Sequence, residues 1–262
     1  MSFEIDRYAH LPSTIQRWDP RFKIAALGIL IFLIALLQSL PLSFASLVIA
    51  LLTFTLSGLP YRLAATGLKW LIYFLLPFFI LLPMSFPTHA PLSVLGVTLA
   101  PEGLRLALLI SVKAVAVVLL CYATFGSARF HHSMYALQKL RCPAFLIHML
   151  LFTYRYIFVL IEEMRRMYKA MLSRGFQPRM NRHTLHILGY FVGNLLLRSI
   201  ERTERIYKAM LSKGFDGEFH TLVTFQSKPV DWQKTLIFTA LALLLWYGDH
   251  FGPFPRAIEA WY

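Results

Sequence analysis

Long apolar runs alternate with short polar segments along this chain, and the runs have the length of membrane helices. Five stand out, at residues 22–40, 42–59, 68–84, 104–125 and 234–251. A helix crossing the hydrocarbon core needs about 20 mainly apolar residues. The third run is short and carries Pro77 and Pro83, which predicts a kink or tilt. Residues 90–100 are apolar but brief and proline-flanked, and read as an external loop or re-entrant piece. The predicted fold is all-α: a polytopic membrane protein of about five transmembrane helices.

Between the fourth and fifth runs the pattern changes. Residues 162–228 hold twelve Lys/Arg against six Asp/Glu. Two long helices fit, over 143–173 and 183–212, each about 45 Å long at 1.5 Å per residue. Their N-terminal halves, 145–160 and 185–197, are hydrophobic. The second is too short to span and contains Gly189, Gly193 and Asn194. It suits a helix lying on the membrane surface or packed on its partner. The first contains His148 and Arg155, and whether it dips into the bilayer stays open. The C-terminal halves keep one apolar stripe and one basic face, through Leu160, Met164, Met167, Met171 and Leu172 in one helix and Ile200, Tyr207, Met210 and Leu211 in the other. The expected division is a four-span membrane domain (1–128), a cytoplasmic domain of two long crossing helices (129–230), and a last span with its tail (231–262).

Composition agrees with a membrane protein. Hydrophobic residues make up 57% and charged ones 15%, where a soluble domain carries about 25% charged. The net charge of +13 follows the membrane rule that Lys and Arg collect in cytoplasmic segments. The basic residues alternate with apolar helical faces and not with a stacking platform, which disfavours nucleic acid. Arg7, Arg17, Arg21 and Lys23 precede the first run, Arg62 and Lys69 follow the second, and Arg129, Lys139 and Arg141 follow the fourth. This places the N-terminus in the cytoplasm and the C-terminus outside a cell (inner) membrane, with Arg256 as the one objection. The first run is longer than a signal-peptide core and reads as a retained span. Cys121 and Cys142 form no disulfide or metal pattern.

The chain also says one thing twice. Residues 168–176 read YKAMLSRGF and residues 207–215 read YKAMLSKGF, an offset of 39. Each copy ends a basic amphipathic helix. Gly175 and Gly214 can take the left-handed conformation that closes a helix. Arg174 or Lys213 at the tip can meet a carboxylate, Ser173 and Ser212 allow close approach, and Met171, Met210, Phe176 and Phe215 adapt to a shallow apolar groove. A helix cap alone accounts for the glycine and the base. It does not account for near identity over nine residues, so the pair reads as a docking device for two equivalent receptors.

With these motifs in view, the chain resembles the transmembrane T component of energy-coupling-factor transporters, of the CbiQ type associated with cobalt uptake. The resemblance rests on IDRYAHL (5–11), WDPRFK (18–23), Ser173-Arg174-Gly175 and Ser212-Lys213-Gly214, and covers most of the chain. It implies that the two motif helices are coupling helices seated in grooves on a pair of ATP-binding-cassette ATPases, which bind the ATP. It further implies a separate membrane subunit that binds cobalt or nickel, so this chain holds neither cofactor nor metal. Two departures stand out. The family's small residue is typically Ala, and here it is Ser twice; and Lys213 stands where Arg is expected. Lys lacks the planar two-pronged contact of Arg, so the two docking sites are expected to differ in strength.

Other candidates weigh less. In WDPRFK, Asp19 suits an N-cap, Pro20 a first helical position, and Arg21 and Lys23 headgroup anchors. Lys113 lies inside the fourth run, where a charge is costly. It either snorkels outward or pairs with a carboxylate of a partner membrane subunit. His131-His132 and His183/His186 have no Cys or carboxylate at ligand spacing. There is no phosphate-binding loop and no catalytic constellation, so the chain is not expected to be an enzyme. The competing class is a stand-alone channel or secondary carrier, for which Lys113 and the Pro77/Pro83 pair are the hints.

Overall fold

The computed structural model describes residues 13, 15–16, 18–85, 92–94, 97–99, 101–216 and 228–252. The 5–11 motif, Arg7, Arg17 and Arg256 lie outside them. The chain forms two compact units, one of residues 1–141 with 225–262, the other of residues 142–224. The helix that follows residue 129 packs back onto the first helix, inside the first unit.

In the first unit, α1 (Pro20–Leu36) is central. Asp19 caps it, accepting from the Arg21 N–H at 3.0 Å, and Pro20 fills the first position, where no N–H is needed. Leu27, Leu30 and Ile34 of α1 are fully buried. They pack with Phe54 of α2 (Leu40–Leu56), Leu119 and Leu120 of α5 (Pro101–Cys121), and Leu245 of α9 (Pro229–Phe251). Ser39, Ser43, Ser46 and Ala50 form a buried stripe of small residues along α2. The Ser43 and Ser46 hydroxyls donate to their own helix, at 2.9 and 2.7 Å, so the stripe approaches α5 and α9 without stranded polar atoms.

The third expected span is two helices, α3 (Tyr61–Leu75) and α4 (Phe78–Ser85). The break falls at Leu76–Pro77, since Pro77 has no N–H to continue the ladder. Within the segment 90–100, expected as an external loop or re-entrant piece, two short strands, β1 (Leu92–Val94) and β2 (Val97–Leu99), pair antiparallel as Leu92↔Leu99. A single π turn, Tyr122–Gly126, follows α5, and α6 (Phe130–Lys139) packs on α1.

The second unit is α7 (Ala144–Ser173) and α8 (Arg182–Leu211), 30 residues each, within one or two residues of the expected helices. Only Ile147 is buried in α7, and α8 buries none. Among the described residues, three helical stretches are long and apolar enough to cross a membrane: Tyr61–Ser85 (α3 and α4 together), Pro101–Gly126 and Ala144–Ser173, with Leu40–Leu56 as a shorter apolar helix. The question left open for 145–160 thus finds α7 sufficient in length and composition. The first run supplies a helix of 17 residues, about 25 Å, because Leu37 turns out of the helical conformation.

Candidate functional site

The two copies of the repeat fold alike, atom for atom in their caps. In the first, Gly175 N–H donates to Leu172 O at 3.0 Å and Phe176 N–H to Met171 O at 3.1 Å. In the second, Gly214 N–H donates to Leu211 O at 3.0 Å and Phe215 N–H to Met210 O at 3.1 Å. These paired bonds are the Schellman closure. It requires a left-handed residue, supplied by Gly175 at φ +85° and Gly214 at φ +81°. Met171, Phe176, Met210 and Phe215 are half-buried, while Ser173, Arg174, Ser212 and Lys213 are exposed. Each tip therefore presents a basic side chain on a shoulder of Met and Phe, closed by a glycine with open space around it.

The serines fit this picture. Ser173 Oγ donates to Ala170 O and Ser212 Oγ to Ala209 O, both at 3.0 Å. Each hydroxyl is occupied within its own helix, so the residue offers a partner little more than the bulk of alanine. The first tip borders a groove of about 540 Å³, where Arg179, His183 and Thr184 face Met171, Arg174 and Phe176. Arg179 is held by Gln177 Oε1 at 2.9 Å. Beyond the second tip, residues 217–227 lie outside the described set.

Upstream of the tips, Glu162 and Arg166 form a one-turn pair at 2.5 Å. Glu163 instead bonds Arg198 of α8 and ties the two helices together. Local spacing points Glu163 at Arg166, three residues on; only the approach of α8 reveals its partner.

The WDPRFK segment is structural throughout its described residues. Trp18 is 1% exposed and stacks on Phe238, and Phe22 meets Trp232, so the segment binds α1 to α9. Arg21 closes onto Asp19 at 2.9 Å. Lys23 does not reach headgroups: it is 1% exposed, and Nζ donates to Ser127 Oγ at 3.0 Å. Ser127, which closes the π turn, accepts the ammonium's hydrogen bond.

Lys113 is half-buried, and its Nζ donates to the Leu37 carbonyl at 2.6 Å, at the turn between α1 and α2. From the other side Asp249, 7% exposed, accepts from Gln38 N–H at 2.9 Å and Ser39 N–H at 2.8 Å, and from the Ser39 hydroxyl. The opposite charges of Lys113 and Asp249 attract across this turn. Asp249 carries no local signal in the sequence, because its partners lie 210 and 211 residues away. No group of three or more His, Cys, Asp or Glu positioned to hold a metal occurs among the described residues; His186 lies edge-on against Tyr190.

Fold and site thus define an all-helical polytopic membrane protein bearing a duplicated, exposed, basic helix end. A family model described as CbiQ, cobalt transport protein, matches residues 12–223, most of the chain, and the chain belongs to that family. It is a component of a membrane transport system for cobalt. No curated protein matches the chain.

Proposed function

We propose that this chain is the coupling subunit of an ATP-driven importer of the energy-coupling-factor type, with cobalt as cargo and nickel as the alternative. Two ATP-binding-cassette ATPases each grip one tip. Ser173, Arg174, Gly175 and Phe176, shouldered by Met171, seat in one; Ser212, Lys213, Gly214 and Phe215, shouldered by Met210, seat in the other. ATP binding brings the ATPases together and changes the spacing of the tips. That movement reaches the membrane helices, and a separate substrate-binding membrane subunit reorients and releases its ion. ATP is bound and hydrolysed by the partners. The chain crosses the membrane five times, with its N-terminus and the α7–α8 unit in the cytoplasm and its C-terminus outside.

The observation that carries this reading is the matched pair of Schellman-capped tips. A single active site has no use for two copies of one exposed cap. Two like receptors do. A basic residue on an apolar shoulder suits a groove with a carboxylate at its floor, where truncating one partner of a buried charged bond costs about 2–5 kcal/mol.

The test is co-purification from detergent. Arg174→Glu with Lys213→Glu is expected to strip the ATPases from the complex and abolish cobalt uptake. An intact complex with unchanged uptake removes the basis of the proposal.

A further inference from the structure

The α7–α8 crossing is tied by one carboxylate. Glu163, 17% exposed, bonds Arg198 of α8. Arg198 is not alone on its face. Arg202 follows one turn later and Arg205 at i+7, spacings that keep all three on one side of a helix. All three line, with Glu163, a cavity of about 310 Å³ at the crossing. Arg205 Nε donates to the Glu201 carbonyl of its own helix at 3.3 Å. Arg202 is half-buried and has no hydrogen bond or ion pair among the described residues. A partly buried guanidinium carries five donors that want acceptors. This one waits a single turn, about 5.4 Å of helix, beyond the arginine that holds Glu163, beside the same cavity.

We infer that Arg202 is a second station for Glu163, and that the α7–α8 crossing is a one-step ratchet. The inference rests on the coupling role proposed above. When the ATPases move the tips, α8 slides one turn along α7, and Glu163 leaves Arg198 and takes Arg202. Both positions keep one ion pair of the same chemistry, so neither leaves the carboxylate stranded. One-turn steps of one element past another are among the known forms of such switching. Arginine suits both stations, because its planar fork meets a carboxylate from two sides. Arg202 and Glu163 are thus positioning residues: they set the spacing of Arg174 and Lys213 without touching the ATPases.

The test uses the full chain assembled with its ATPases and substrate-binding subunit in liposomes, in a background of Cys121→Ser and Cys142→Ser. Spin labels at Arg165→Cys and Glu204→Cys report the register of the two helices without nucleotide and with ATP plus vanadate, which traps the ATPases as an ADP–vanadate complex. The parent chain is expected to show an ATP-dependent shift of about 5 Å, one helical turn. Arg202→Gln is expected to retain its ATPases, lose the shift, and take up Co²⁺ at least tenfold more slowly; Arg202→Lys recovers part of both. Uptake within twofold of the parent, or an intact shift in Arg202→Gln, overturns the ratchet while leaving the coupling role standing. Loss of the ATPases from Arg202→Gln alone assigns Arg202 to docking or folding and also overturns it. Failure of the parent chain to hold the ATPases overturns the coupling role and the ratchet with it.

Discussion

At the scale of single residues, the two glycines separate backbone conformation from contact. A Cβ at Gly175 or Gly214 meets nothing within 4 Å, so the cost of alanine there is the left-handed backbone itself, about 1–2 kcal/mol. Gly175→Ala and Gly214→Ala are each expected to weaken ATPase retention several-fold in pull-downs. The melting temperature of the purified chain should scarcely move, because the caps stand at exposed ends. Ser173→Ala with Ser212→Ala should leave retention unchanged, since both hydroxyls are spent on their own helices. The glycine stops were legible in the sequence because a helix cap is a local device. The serine bonds and the burial of Lys23 were not: a charged residue beside a membrane run looks like a headgroup anchor until Ser127, 104 residues away, appears next to it.

At the scale of elements, the first unit depends on contacts that leave little room. A Cβ on Gly103 at the start of α5 would lie 2.7 Å from the Leu82 carbonyl oxygen and from Pro83 Cα, both backbone atoms of α4. Gly103→Ala is expected to cost about 1–3 kcal/mol, as overpacking does, and to lower the melting temperature in detergent. The bracket at the α1–α2 turn gives a sharper contrast. Asp249→Ala leaves the Gln38 and Ser39 N–H groups without their acceptor and should cost about 1–3 kcal/mol for each buried donor left unpaired. Asp249→Asn keeps an acceptor and should cost less. Thermal unfolding of the chain alone distinguishes the two, and Lys113→Met in the same assay shows how far that ammonium serves this chain's own turn. The break at Pro77 was legible because proline acts on its own backbone. The hairpin of β1 and β2 was not, since two three-residue strands are too short for an alternation to register.

At the scale of the whole molecule, the proposed five passes, with an inward N-terminus and outward C-terminus, predict a pattern of access. A cysteine at Gln177 should react with impermeant reagents only in inverted vesicles, and one at Tyr262 only in right-side-out cells. The reverse pattern contradicts the orientation. The purified chain alone in liposomes should pass no Co²⁺; a flux without partners favours the stand-alone channel or carrier. The number of helices in the second unit and their ends could be read from periodicity, proline and glycine. The packing of α6 on α1 could not, since no local pattern in residues 129–141 names that partner.

Two matching handles on one polypeptide impose a genetic constraint. If a single gene encodes both motor subunits, every change in its groove is felt at Arg174 and at Lys213 together, whereas a change in this chain alters one end alone. A groove substitution selected to rescue Arg174→Glu must then injure the Lys213 seat, so one-step suppressors should be rare in that gene. They should arise instead where the motor is encoded by two diverged genes.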